Sequence, residues 1–192
     1  MEKSVDKTQM KTAILLTAQQ MAREEDWESV SMRKIAHVLN CSAPTLYNYF
    51  KDKESILVAL ENEGFTTLHK RLKSIKKIEK DPKNLIISLS LQVYEFAAQN
   101  PEMYQVMFNL EGVKCKTGKK KLIKKVRDHF KLALSNFTSN KKEIKENYLI
   151  WWSFIHGYVS LLITEQLVLS DKKAKKRMER MVEHLFQTQF TN

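Results

Sequence analysis

The residues best suited to chemistry lie between Ser31 and Phe50, in the run Ser-Met-Arg-Lys-Ile-Ala-His-Val-Leu-Asn-Cys-Ser-Ala-Pro-Thr-Leu-Tyr-Asn-Tyr-Phe. Apolar side chains occur in it only where two short helices would face each other, which is the pattern of a helix-turn-helix. Ser31 and Ser42 stand where N-caps belong. Asn40 and Cys41 make the turn, and Pro44 falls in a first helical turn, where its missing N–H costs little. Ala36 is small enough for close helix approach, and Cys41 reads as a small buried hydrophobe. Leu46 and Phe50 point back to a core. Ser42, Ala43, Pro44, Thr45, Tyr47 and Asn48 are then left at the open end and outer face of the second helix, the part that enters a DNA major groove. Arg33, Thr45, Tyr47 and Asn48 can meet base edges: Arg suits guanine, Asn suits adenine, and Thr or Tyr touches a thymine methyl. Ser31, Tyr49 and Lys53 can hold phosphates through hydroxyls, a charge and amides at helix starts.

Other chemistries find little support. Four scattered glycines build no phosphate-cradling loop, and neither G-x-S-x-G nor H-E-x-x-H occurs. The five histidines show no ligand spacing with one another or with the two cysteines, so no metal, cofactor or catalytic residue is expected. Two cysteines make no disulfide framework, and the polar stretch from Met1 to Thr12 is no secretory signal; a cytoplasmic location is expected. The net charge of +11 invites a nucleic-acid reading, yet residues 1–55 carry eight basic and eight acidic side chains. The entire excess follows Ser55. It steers the protein toward DNA without locating the contact.

The elements that must position these residues are helical. Only four glycines and three prolines interrupt 192 residues rich in Leu, Lys, Glu, Ala, Gln and Met, and no alternating β-branched run appears. The pattern predicts an all-α chain of about nine helices. The first spans Asp6 to Glu25, with Ile14, Leu15, Ala18, Met21 and Ala22 inward, followed by the pair at Met32–Leu39 and Ser42–Asn48. Asp52 caps a long fourth helix reaching Glu79; Asp81-Pro82 opens a fifth and Asn100-Pro101 a sixth. Gly112 to Gly118 reads as a loop. Three more helices are expected over Lys119–Phe137, Glu143–Val168 and Asp171–Thr188. The uncharged stretch from Asn147 to Thr164 contains Ser153, His156, Gly157 and Ser160, so it reads as a buried helix and no membrane span is expected. The division falls into a DNA-binding domain over 1–55 and a regulatory and dimerisation domain over 56–192.

In that second part, large adaptable side chains gather near polar ones. Tyr104, Met107, Phe108, Trp152 and His156 are the candidates to line a pocket for an apolar small-molecule effector. A body that binds a protein partner instead is the alternative. Gly157 sits mid-helix, which points to a close helix crossing or to space for a ligand. Met178, Met181, Val182, Leu185 and Phe186 form a stripe on the last helix that needs a partner, either a neighbour in the same chain or a second subunit.

Two stretches resemble the TetR family of transcriptional regulators. Pro44 to Lys53 is similar to that family's recognition helix and the start of its fourth helix, and Ser31 to Ala36 is similar to its second-helix signature. The resemblance covers about Thr12 to Leu60. It departs at Asp26 and Asn40, where the family often places glycine; Asn tolerates left-handed backbone. Downstream, Trp152 with His156-Gly157, and Asn100-Pro-Glu-Met-Tyr104, resemble the Trp-His-Gly class of TetR regulatory domains over about Pro82 to Leu185. The resemblance implies a ligand-responsive repressor that binds a pseudo-palindromic double-stranded DNA operator as a homodimer, joined through the last two helices.

Overall fold

The structure is a computed structural model that describes residues 2–110 and 120–190. Those residues form nine α-helices and no strand: α1 (Glu2–Glu24), α2 (Met32–Val38), α3 (Ala43–Tyr47), α4 (Lys53–Ile78), α5 (Pro82–Gln99), α6 (Pro101–Phe108), α7 (Lys120–Leu134), α8 (Lys141–Ile163) and α9 (Asp171–Phe190). The expected loop at Gly112–Gly118, with Cys115, lies outside the described residues.

Helix starts follow their caps. Asp81 Oδ1 accepts the Asn84 N–H at 2.8 Å, and Asn140 Oδ1 accepts those of Lys142 and Glu143 at 3.0 and 3.4 Å. The second of these begins α8 earlier than the expected Glu143. Its other end also comes early, at Ile163 instead of Val168. Thr164 caps it, Glu165 turns left-handed at φ 55°, and the Leu167 N–H reaches the Leu161 carbonyl at 2.8 Å. That local closure outweighs the continuing apolar pattern. No helix among the described residues is long and apolar enough to cross a membrane.

Two compact units emerge, Met1–Gly64 with Glu102–Gly118, and Phe65–Pro101 with Lys119–Asn192. The position between residues 55 and 56 lies inside α4, which contributes residues to both. The first unit buries Ile14 and Ala18 of α1, Ile35 and Ala36 of α2, Leu46 of α3, Ile56 and Leu60 of α4, and Tyr104 and Met107 of α6. Each large apolar side chain buried in this way contributes about 1.5–3 kcal/mol. In the second unit α5 packs against α7, α8 and α9 around Leu89, Val93, Phe96, Phe130, Ile155, Val159, Met178 and Val182.

This arrangement settles which partner the α9 stripe has within the chain. Met178 and Val182 are buried, Met181, Leu185 and Phe186 are half-buried, and the Phe186 ring meets that of Phe137 edge-on at 4.8 Å. Two of its five side chains are therefore spent on the bundle itself, and the other three keep part of their surface open. The apolar face left uncovered lies on α8, where Leu149, Ile150 and Leu161 are exposed beside Ser153 and Gly157.

Candidate nucleic-acid interface and regulatory region

The helix-turn-helix is built from caps inward. Ser31, in extended backbone, accepts the Lys34 N–H on its Oγ at 3.3 Å and starts α2. The end of α2 is closed by Asn40 at φ 49°: its N–H bonds the His37 carbonyl at 3.1 Å, and the Cys41 N–H bonds that of Ala36 at 3.0 Å. These are the two bonds of a Schellman motif, with Asn in the place glycine usually takes. Cys41 is half-buried, less enclosed than the sequence suggests, because this closure holds it at the rim of the turn. Ser42 then caps α3 by accepting the Thr45 N–H at 3.2 Å, and its hydroxyl pairs with the Thr45 hydroxyl at 2.8 Å. Leu46 is fully buried and Phe50 nearly so.

The outer side of this pair carries the expected DNA-reading residues. Arg33, Ser42, Pro44, Tyr47 and Asn48 are exposed, Tyr47 to 52%. Ser31, Ala43, Thr45, Tyr49 and Lys53 are half-buried. Lys53 does more than the sequence suggests. Its ammonium donates to the Trp27 carbonyl and, at 3.5 Å, to that of Glu28. Burial holds it below the usual lysine range, against the raising influence of Asp26 and Glu28. Next to it Asp52 and Ser55 cap each other: the Ser55 N–H donates to Asp52 Oδ1 at 2.7 Å and the Asp52 N–H to Ser55 Oγ at 3.2 Å.

At Asp26 the chain replaces backbone freedom with a side-chain bond. The Asp26 carboxylate accepts the Ser29 N–H at 2.6 Å, and the Ser29 hydroxyl donates to the Asp26 carbonyl at 2.9 Å. The turn after α1 is thereby fixed without glycine. Trp27, buried just beyond, donates its indole N–H to the Glu102 carbonyl at 3.2 Å. Arg23 grips the Glu102 carboxylate with two nitrogens, at 2.6 and 3.0 Å, which raises the guanidinium pKa further. Residues 79 positions apart are joined in this way, and sequence reasoning missed the link. Pro101-Glu102 looks like any acidic first turn, so nothing local marks its partner.

The five expected effector residues fall into two sets. Tyr104 and Met107 are buried on α6 and Phe108 is half-buried; the Tyr104 and Phe108 rings lie 4.6 Å apart. Burial drives the Tyr104 phenol well above its ordinary pKa. This set belongs to the first unit. Trp152 and His156, both half-buried on α8, belong to the second, with rings nearly parallel at 5.6 Å and 6°. Burial lowers the His156 pKa. None of the five lines the apolar crevice beside Ile86, Leu134, Asn147, Trp151 and Val182, whose free volume of about 20 Å³ is that of one water. Nor do they line a wider cleft of about 420 Å³ at Tyr94, Ala98, Leu162 and Val168.

The glycine crowded by neighbouring side chains is not the one singled out by the motif. Among the described residues a Cβ on Gly157 would meet nothing within 4 Å, so the close helix crossing expected there is not seen. A Cβ on Gly64 would sit 2.4 Å from Met107 Sδ and 3.0 Å from Met103 Cγ. Gly64 therefore admits α6 against α4 within the first unit.

Comparison with known proteins sharpens these observations. Residues 14–60 match the model of bacterial regulatory proteins of the tetR family, and residues 86–185 match the tetracyclin repressor-like C-terminal domain. No curated protein sequence matches the chain. Among solved structures, it is similar to a TetR-family transcriptional regulator from Bordetella parapertussis, with 20% identity, a TM-score of 0.68, and coverage of 92% of this chain and 93% of that one. The TetR-family regulator PfmR from Thermus thermophilus shares 15% identity at a TM-score of 0.71, covering 91% of this chain and 97% of that one. A TetR variant from Acinetobacter baumannii, in complex with minocycline, shares 14% identity at a TM-score of 0.67, covering 93% and 97%.

Proposed function

Because this chain belongs to the TetR family of DNA-binding transcriptional regulators, which are not enzymes, we propose that it is a repressor released from its operator by a small apolar molecule. The observation that carries the DNA half is the capped α2–α3 pair, whose left-handed Asn40 turn leaves Tyr47 and Asn48 exposed on the outer face of α3. One recognition helix per chain suits a dimer on a pseudo-palindrome, with half-sites about 34–36 Å apart. The uncovered face of α8 around Leu149, Ile150 and Gly157 supports that dimer. As a DNA-binding regulator it acts in the cytoplasm. Arg33, Thr45, Tyr47 and Asn48 read bases; Ser31, Ser42, Tyr49 and Lys53 hold the backbone.

Effector release requires a ligand that binds the DNA-free arrangement better than the bound one. The α6 residues Tyr104, Met107 and Phe108 are one set of proposed effector contacts, and Trp152 and His156 on α8 are the other. The link from Glu102 to Arg23 and Trp27, with the tight seat of Met107 at Gly64, supports a route from α6 to α1 and α4. Selection of genomic fragments with purified protein, then operator affinity across a panel of apolar compounds, tests the reading. Binding of an asymmetric half-site by a monomer at full affinity would sink the dimer. A panel in which no compound alters operator affinity would sink the effector.

A further inference from the structure

Helix α9 divides its sides by charge. Ala174, Met178 and Val182 are buried against the bundle. Lys173, Lys176, Arg177 and Arg180 recur at i, i+3, i+4 and i+7 on the opposite side, and all four are exposed. At the helical rise per residue this row is about 10 Å long. Together with Leu169 it lines a cleft of about 250 Å³. Among the described residues none of the four cations forms an ion pair. The acids Glu95 and Asp171 are held instead by Lys175, at 3.1 and 3.3 Å. Glu179 and Glu183 follow Lys176 and Arg180 by three residues without pairing with them, and four cations against two acids leave the row positive.

Leu169 also lines the second, wider cleft of about 420 Å³, with Tyr94, Ala98, Leu162, Leu167 and Val168. The two clefts therefore adjoin at Leu169, and both lie within the second unit. The wider one has the size of a small-molecule site, about 300–1,000 Å³. Val168 leaves 81% of its surface in water there. The Tyr94 hydroxyl donates to Asp171 at 3.0 Å, so its polar tip is engaged. Helices α5 and α8 both end at this cleft, at Gln99 and Ile163, and the exposed Glu165 lies on it. Two helix C-termini and a carboxylate make this end negative. The result is a trough with apolar walls and negative charge at one end, and a cation row at the other.

We propose that the two clefts together bind an amphiphilic phosphate, with its apolar chain along Leu162, Leu167 and Val168 and its phosphate on Lys176, Arg177 and Arg180. Guanidinium and ammonium groups hold phosphate oxygens by charge-assisted hydrogen bonds. Glu165 and the two helix ends repel an anion from the apolar cleft, which fixes the direction of the chain. A neutral alcohol leaves the cation row unpaired, and a chain ending in a cation meets it unfavourably. Inorganic phosphate leaves Val168 in water. The site shares no residue with the DNA-reading set or with the proposed effector contacts, so it stands or falls apart from that reading.

Calorimetric titration of the full chain with octyl phosphate, 1-octanol and inorganic phosphate tests it, beside flotation with phosphatidylcholine vesicles containing phosphatidic acid. Octyl phosphate should bind about tenfold or more tighter than octanol or inorganic phosphate, as a charge-assisted bond joined to apolar burial implies. Val168→Asp and Arg180→Gln, both at exposed positions, should each weaken it about tenfold while circular dichroism shows the fold unchanged. Octyl phosphate binding that octanol or inorganic phosphate matches, or that Val168→Asp leaves unmoved, overturns the proposal. So does the absence of binding in both assays, or vesicle binding that persists in both variants. Vesicle binding alone, lost in both variants, makes the occupant a lipid headgroup. Octyl phosphate binding without vesicle binding makes it a free amphiphile. None of these outcomes depends on operator affinity.

Discussion

Two mid-helix glycines divide the molecule into a finished region and an unfinished one. Gly64 lies in the first unit under the Met107 and Met103 side chains, which a methyl group would force to shift. Gly157 lies in the second unit on the open face of α8, where a methyl group would meet nothing. Glycine costs a helix about 1 kcal/mol relative to alanine in either place. At Gly64 that cost is offset inside the chain, by the seat it gives the Met107 side chain. At Gly157 no contact among the described residues offsets it.

Substitution at the two glycines should break this comparison if it is wrong. Gly64→Leu should destabilise the protein by about 3 kcal/mol, since overpacking a filled site displaces side chains and backbone. Thermal or urea unfolding measures it; an unchanged midpoint would show that α6 does not need that seat. Gly157→Leu should leave the unfolding of the separated subunit within about 0.5 kcal/mol, as for other exposed positions, while weakening self-association tenfold or more in sedimentation. Loss of folding with Gly157→Leu, or no loss of association, would erase the contrast.

The next effect sharpens the picture of the finished region. Arg23→Gln leaves the buried Glu102 carboxylate without its cation. Breaking a buried pair costs about 3–5 kcal/mol; the Arg23 side chain is 53% exposed, so solvent screening should bring the loss to about 2 kcal/mol. Chemical denaturation followed by circular dichroism reports it. A midpoint unmoved by the substitution would mean that the carboxylate finds water instead.

A smaller effect distinguishes the second unit by pH. His69 of α4 and His129 of α7 share a ring-nitrogen hydrogen bond at 2.9 Å. Burial first, then the charge of His69 and the ammonium groups of Lys76 and Lys73, carry His129 down to about 4, with Asp128 opposing. Burial, Lys125 and Lys73 lower His69 as well. Folded values below the unfolded value near 6.5 mean that the unfolded chain binds more protons in between. The pair's stability is therefore fully present above about pH 6.5 and is lost as pH falls toward 4. Melting temperature should fall between pH 7 and pH 5, and His129→Gln should flatten that slope. An equally steep slope in the variant would assign it to other groups.

The smallest effect concerns the turn. Asn40→Gly should raise stability by less than about 1 kcal/mol, and Asn40→Val should lower it by about 1–2 kcal/mol, because only the second adds a branched side chain to a left-handed residue. Calorimetry of the two variants checks the order.

What could be read from the sequence was local. Ser31, Ser42, Asp52 and Asp81 announce their helices because a cap bonds an N–H three residues away, well within a sequence pattern. The left-handed Asn40 and the burial of Leu46 and Phe50 follow from the same short range. The contacts that were not legible depend on reach through space. Lys53 reaches the Trp27 carbonyl across α2 and α3, and Arg23 reaches Glu102 across α2 to α5. The α9 stripe was legible as a stripe, but periodicity reports that a face is buried and not by whom. Gly64 and Gly157 look alike in sequence, and only their neighbours tell them apart.

Helices α2, α6 and α8 are followed by left-handed residues that are not glycine: Asn40 at φ 49°, Asn109 at φ 52° and Glu165 at φ 55°. The consequence is felt in the unfolded chain as much as in the folded one. A glycine at each position would relax the native backbone, yet it would also widen the range of conformations open to the denatured ensemble. Strain retained in the native state is thus partly matched by freedom withheld from its competitor. A chain with four glycines in 192 residues ends these helices with turns that are slightly strained, and its unfolded state is correspondingly less roomy.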